Sequence, residues 1–371
     1  MIYPLIFVVA FIVTLGLTPP LIRISRRWRV IDPREESDPP RPPAPLLGGL
    51  AVAAGFAAAT AAAFLWGRGK LLGEFDFHYL GLLGGGVVIL LLGIYDDIKG
   101  AGAGLKLAVQ TVAALILIAA GYRLEVLTNP FGGQLAVGLW GIPITIIWIV
   151  GLTNAVNLLD GLDGLACGVS GIAALTLFVA SFDGFPFVPV VSIALAGACA
   201  GFLRYNFYPA RVFLGDTGSL FLGFILAAVS IQGSFKTTAG MALVLPLVIL
   251  LIPLSDTVSA FFRRVVRKKN PFKADRKHLH HKLVARGYSQ GQAVALIYMV
   301  QINLAVVALV LEYAGRALAL GMFFLMALML LIFFRIMASF RSSLEAIKDE
   351  HTAAAARAAD QAGEIENNPA G

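Results

Sequence analysis

The chain is poor in charge. Only 14% of its 371 residues are Asp, Glu, Lys or Arg, against roughly one-quarter in a soluble domain. A soluble globular class is thereby excluded. Cysteine is scarce too, with Cys167 and Cys199 both inside apolar runs. That excludes a disulfide framework and a zinc site of cysteine ligands, and the two residues read as small hydrophobes. No apolar run alternates with polar residues, which excludes a membrane β-barrel. No internal repeat is evident. No basic residue precedes the first apolar run, whose positive charges follow it instead. The expectation is a retained first helix with its N-terminus outside rather than a cleaved leader.

What is abundant is hydrophobic sequence, 58% of all residues. The apolar runs repeatedly reach the ~20 residues that cross a bilayer. Eleven spans are expected, near 2–22, 47–66, 79–94, 105–121, 139–152, 165–182, 188–203, 219–232, 239–261, 293–311 and 317–336. The fold class is therefore all-α: a polytopic membrane bundle of about eleven transmembrane helices. Residues 1–341 form a single integral-membrane domain, and 342–371 a tail, partly helical or disordered. With the N-terminus outside, 24 of the 29 Lys and Arg residues fall on the cytoplasmic side, as the positive-inside rule requires. The net charge of +7 thus reads as membrane topology and calls for no nucleic-acid partner.

The polar clusters all map to that same face. The stretch Asn154-Ala-Val-Asn157-Leu-Leu-Asp160-Gly-Leu-Asp163-Gly164 spaces two amides and two carboxylates three apart. On a helix, all four would drift slowly along one side toward a common cavity. Asp96-Asp97 closes the third apolar run, where adjacent carboxylates can bind Mg²⁺, hold a base or pair with lysine. Lys106 and Gln110 follow at the start of the fourth run. Asn206 precedes Gly215-Asp216-Thr-Gly-Ser219, which opens the eighth. Free N–H groups at that helix start favour phosphate, and Asp216 beside them can hold Mg²⁺, which prefers oxygen ligands. Simple N-capping by Asp216 is the plainer alternative. A basic loop after the ninth run carries Asp275-Arg276-Lys-His278-Leu-His280-His281; imidazole and guanidinium groups suit a pyrophosphate or sugar hydroxyls.

Together these motifs resemble the polyprenyl-phosphate N-acetylhexosamine-1-phosphate transferases, glycosyltransferase family 4. The match runs in order from about residue 46 to 287 and includes the turn Pro43-Ala-Pro45-Leu-Leu-Gly48-Gly49. Relatives carry a His-containing segment before that turn, where this chain has Arg41. The resemblance implies transfer of a sugar 1-phosphate, most like N-acetylglucosamine (GlcNAc) 1-phosphate, from a UDP-N-acetylhexosamine to undecaprenyl or another polyprenyl phosphate. The products are a polyprenyl-diphospho-sugar, which initiates a cell-envelope glycan, and UMP. It also implies Mg²⁺, replaceable by Mn²⁺, a site on the cytoplasmic face of a bacterial inner membrane, and compatibility with a homodimer. By matching positions, Asp216 would be the metal ligand. Asp96, Asp97, Asp160, Asp163, His280 and His281 would be catalytic-site residues. Lys106, Asn154, Asn157, Asn206, Arg276 and His278 would bind substrate. Within the enzyme class, the alternative donor is UDP-MurNAc-pentapeptide. A lipid transporter or flippase is the rival of another class; its polar groups would sit near the midplane rather than at one face.

Overall fold

A computed structural model describes residues 2–32, 43–66, 76–128, 134–182, 187–232, 251 and 288–313, with isolated positions 318, 321, 324 and 328. The chain divides into two compact units, Met1–Arg316 and Ala317–Gly371, and the first carries everything that follows. Among the described residues, nine α-helices are followed over their length. They are α1 (Ile2–Trp28), α2 (Gly48–Trp66), α3 (Asp76–Lys99), α4 (Ala103–Ala119), α5 (Gly141–Leu159), α6 (Leu165–Ala180), α7 (Phe187–Asn206), α8 (Gly215–Gln232) and α9 (Gln290–Tyr313). Seven are long and apolar enough to cross a membrane, and α4 and α6 are shorter apolar helices. The protein is a multi-pass helical membrane protein. The expected spans at 239–261 and 317–336 fall almost wholly outside the described residues.

The core is built around α8. From Gly215 to Ser230 nearly every residue is buried, and α2, α3, α5, α6 and α7 all pack against it. A helix that is apolar all round has no lipid-facing stripe and belongs in the middle of a bundle. By contrast, α1 and α3 expose Leu5, Ile12, Leu80 and Leu91, as lipid-facing helices do. Several buried hydroxyls are satisfied by helix carbonyls or by a neighbouring helix, as hydrocarbon surroundings favour. Ser219 Oγ donates to Gly215 O at 2.9 Å, and Trp148 Nε1 donates to Ser230 Oγ at 2.8 Å.

Among the described residues, two short antiparallel ribbons join the helices. β1 (Ile31–Asp32) pairs with β2 (Ala44–Pro45), and β3 (Val126–Thr128) with β4 (Gln134–Ala136). The first ribbon ties the end of α1 and the start of α2 to the approach to α8. Leu46 N donates to Val30 O, Phe213 N to Pro45 O at 2.8 Å, and Gly49 N to Leu214 O at 2.9 Å. The ends of α1, α3, α5 and α7 and the starts of α2, α4, α6 and α8 thus share one end of the bundle.

Several helices, α1, α3, α5, α7, α8 and α9, overrun the hydropathy spans. The span expected at 139–152 is α5, which continues to Leu159, so Asn154 and Asn157 lie in its last two turns. The expected common face of four residues does not form. α5 stops at Leu159 with Asp160 as its C-cap. The chain then turns through Gly161 to Gly164, whose φ of 80° is left-handed, and Asp163 leaves the α5 face.

Candidate active site

The last turn of α3 brings Asp96 and Asp97 to the bundle end where α8 begins. Asp97 Oδ1 accepts the Asp216 N–H at 2.7 Å. Its Oδ2 accepts the Thr217 N–H at 3.0 Å and the Thr217 hydroxyl at 2.6 Å. A carboxylate from one helix therefore caps another, where the negative charge also meets the positive end of the helix dipole. This corrects the expectation that the start of α8 offers free N–H groups to a phosphate. Two of those groups are already taken, and Gly49 packs against Gly218.

Asp216 points away from its own backbone cap. Its Oδ2 accepts from Lys106 Nζ at 2.8 Å and its Oδ1 from Asn157 Nδ2 at 2.8 Å. Asn157 also donates to Ser219 Oγ at 2.8 Å. Lys106 pairs in addition with Asp96 Oδ2, while Asp96 Oδ1 accepts the Ala101 N–H at 2.6 Å. The lysine ammonium thus bridges two carboxylates from α3 and α8 and is itself delivered by α4. One turn along α4, the buried Gln110 exchanges amide hydrogen bonds with Asn154 of α5. Asn154 Nδ2 donates to Gln110 Oε1 at 2.6 Å, and Gln110 Nε2 donates to Asn154 Oδ1 at 3.3 Å. This pair fixes the α4–α5 spacing on which the Lys106–Asp216–Asn157 contacts depend.

Asp160 differs from its neighbours. Its carboxylate has no hydrogen-bond or ion-pair partner among the described residues. Burial of that carboxyl, reinforced by the negative charges of Asp216, Asp97 and Asp163, pushes it well above the usual carboxylate range. The residue as a whole is half-buried.

Asp163 and Asn206 are brought instead to the loop before α8. Asp163 Oδ2 accepts the Ala210 N–H at 2.9 Å, and Asn206 Nδ2 donates to Val212 O at 2.9 Å. Asn206 Oδ1 is buried without a hydrogen-bond partner among the described residues. Arg276, His278, His280 and His281 lie outside the described residues. Tyr298 escaped the reading of the sequence. From α9 its hydroxyl donates to Gly164 O at 2.6 Å and so holds the turn after α5. A tyrosine in an apolar span is the available signal, because a buried phenol needs a partner.

Among the described residues, no group of three or more His, Cys, Asp or Glu side chains is arranged to hold a metal ion. The donor chemistry nonetheless fits a hard divalent cation. Asp96 and Asp216 share the Lys106 ammonium, and the carboxylates of Asp97 and Asp160 lie within electrostatic range of Asp216. Oxygen donors with surplus negative charge are what Mg²⁺ selects.

The sequence profile described as glycosyl transferase family 4 matches residues 79–234, the segment that holds the described cluster. A probable undecaprenyl-phosphate N-acetylglucosaminyl 1-phosphate transferase of Bacillus subtilis is 33% identical over 334 residues, covering 90% of each chain. A decaprenyl-phosphate N-acetylglucosaminephosphotransferase of Mycobacterium tuberculosis is 33% identical over 321 residues, or 80% of this chain and 79% of that one. The undecaprenyl-phosphate alpha-N-acetylglucosaminyl 1-phosphate transferase of Escherichia coli is 27% identical over 277 residues, 73% of each chain.

Proposed function

The chain belongs to glycosyl transferase family 4, and from that membership we infer that it transfers GlcNAc 1-phosphate from UDP-GlcNAc to a polyprenyl phosphate. UMP leaves, and a polyprenyl-diphospho-sugar remains in the membrane. The observation that carries this reading is the convergence of Asp96, Lys106, Asn157 and Asp216 from four different helices on one end of the bundle. GlcNAc stands in the names of all three relatives above, which favours it over UDP-MurNAc-pentapeptide. Clustering of the carboxylates at a helix end disfavours a transporter, whose site lies near the midplane.

Both substrates are anions, so phosphate–phosphate repulsion adds to the barrier. Fixed positive charge aimed at the reacting phosphates is the remedy. Lys106 supplies it from this chain. Mg²⁺, held by Asp216 with Asp160, would supply the rest as a Lewis acid on the phosphate oxygens. Direct attack by the lipid phosphate on the donor's β-phosphorus needs no strong base, because a phosphate monoester is largely ionised above its second pKa of about 6. Asp96 lies beside Lys106 to orient that acceptor or take its last proton. Asp97, with both oxygens engaged by α8, does not take that proton. An aspartyl-phosphate intermediate with ping-pong kinetics is the competing route.

The charge distribution supports a site on the cytoplasmic side. Arg23, Arg26, Arg27, Arg29, Lys99, Arg204 and Arg211 lie at the site end of their helices and connections, whereas Arg123 follows α4 at the other, and the basic side of a bundle faces the cytoplasm.

The test is UMP release from UDP-GlcNAc by purified protein, with and without undecaprenyl phosphate and Mg²⁺, beside UDP-MurNAc-pentapeptide as donor. Release is expected only with GlcNAc, lipid and metal together. Asp216→Asn should lower turnover by at least about 100-fold. Equal turnover of both donors would remove the sugar assignment, and full activity in the variant would remove Asp216 as a ligand.

A further inference from the structure

We propose that Asp97 is a positioning residue, which acts through Asp216 and not on either substrate. The inference rests on the functional reading above and deepens it. Family resemblance treats Asp96 and Asp97 as a catalytic pair, but the structure gives the two adjacent acids different work. Asp96 faces Lys106. Asp97 faces the first turn of α8, where three donors fill its two oxygens at 2.6 to 3.0 Å.

The consequence runs through the main chain. The N–H of Asp216 is pinned by one oxygen of Asp97, and both donors of Thr217 by the other. The backbone at Asp216 is therefore fixed on both sides of its Cα. Its side chain leaves that fixed point toward Lys106 and Asn157. Removing the Asp97 carboxylate frees the N-terminal turn of α8, and with it the direction of the Asp216 carboxylate. Charge-assisted hydrogen bonds are roughly twice as strong as neutral ones, so this clamp holds the backbone of Asp216 firmly. A base or nucleophile would need an oxygen free to meet a substrate. Asp97 offers little, since a carboxylate has about four lone-pair sites and three donors already occupy it. Gly93, one turn earlier on α3, closes the approach further. A Cβ there would stand 2.6 Å from Thr217 N.

Thr217 makes the idea testable without touching the acid. It is fully buried, and its hydroxyl reaches Asp97 alone among the described residues. Full-length Thr217→Val, Thr217→Ser and Asp97→Asn proteins would be compared with wild type in two assays. The first is binding of Mn²⁺ alone, followed by electron paramagnetic resonance in the absence of substrates. The second is steady-state kinetics with UDP-GlcNAc and undecaprenyl phosphate over a range of Mg²⁺.

Thr217→Val is expected to weaken Mn²⁺ binding by about tenfold, the worth of one hydrogen bond to a charged group. Its donor KM should rise at limiting Mg²⁺, while kcat at saturating Mg²⁺ stays within about threefold of wild type. Thr217→Ser keeps the hydroxyl and should restore both. Asp97→Asn should shift Mn²⁺ affinity further in the same direction, by about 100-fold. Unchanged Mn²⁺ affinity in Asp97→Asn together with lost kcat would overturn the proposal and return Asp97 to the substrate. So would a Thr217→Val protein indistinguishable from wild type, or a wild type that binds no Mn²⁺. A wild type that binds Mn²⁺ but does not turn over UDP-GlcNAc sinks the donor assignment and leaves this inference standing.

Discussion

At the residue scale the acids of this site separate by what holds them. Asp97 and Asp163 grip backbone N–H groups, Asp96 and Asp216 share Lys106, and Asp160 is left without a partner among the described residues. That last arrangement has a cost that depends on pH. Burial and neighbouring negative charge raise the proton affinity of Asp160 in the folded protein. The folded state then binds more protons than the unfolded state between the ordinary and the raised pKa, so stability falls as pH rises through that window. Asp160→Asn removes the penalty. In Mg²⁺-free detergent the variant should melt higher than wild type at pH 8. The difference should vanish at a pH low enough to protonate Asp160 in both states. A melting curve at each pH checks it, and a variant less stable at pH 8 would contradict it. These roles were only half legible in the sequence. Spacing pointed to Asn154, Asn157, Asp160 and Asp163 as one group because it assumed a continuing helix. The break at Asp160 sends Asp163 elsewhere, and the cap that Asp97 places on Thr217, 120 residues away, leaves no local trace.

At the element scale the site depends on how closely α3 lies against α8. Gly93 permits that approach, since a Cβ would stand 2.6 Å from Thr217 N and 2.8 Å from Asp216 O. Backbone atoms cannot swing aside as a side-chain end can, so Gly93→Ala must push the two helices apart. Overpacking of this kind costs about 1–3 kcal/mol. The expectation is a lower melting temperature and, because the Asp97 cap is stretched, weaker activity. Gly102→Ala, where nothing lies within 4 Å, should melt like wild type. Equal melting of the two variants would show that the contact is not tight. The helices themselves were readable, because apolar runs of membrane length leave little choice of secondary structure. Their ends were not. Hydropathy stops where polar residues begin, whereas hydrogen bonding carries α5 on to Leu159 and starts α8 at Gly215. Asp96, Asp97, Asn157 and Asp216 lie in that overrun.

At the scale of the whole molecule, orientation is the claim to test. Cys167 and Cys199 are both buried, so the natural chain offers little background to a thiol reagent. Gly102→Cys marks the site end and Leu139→Cys the other, where Leu139 is 83% exposed. A membrane-impermeant maleimide should label Leu139→Cys on intact spheroplasts and Gly102→Cys only in inverted vesicles. The reverse pattern would turn the bundle over. Sequence read this topology through its basic residues, a signal that survives without any knowledge of packing. The meeting of α3 with α8 carries a further meaning for how the protein is made. The ribosome delivers Asp97 to the bilayer long before it delivers Thr217. At about 5–20 residues per second, the 120 residues between them take roughly 6 to 24 s to translate. Through that interval the nascent acid has nothing from α8 to grip. Insertion of the eighth helix is therefore the event that closes the Asp97 clamp, and a chain truncated ahead of it carries Asp96, Asp97, Asp160 and Asp163 without Asp216, the second carboxylate paired with Lys106.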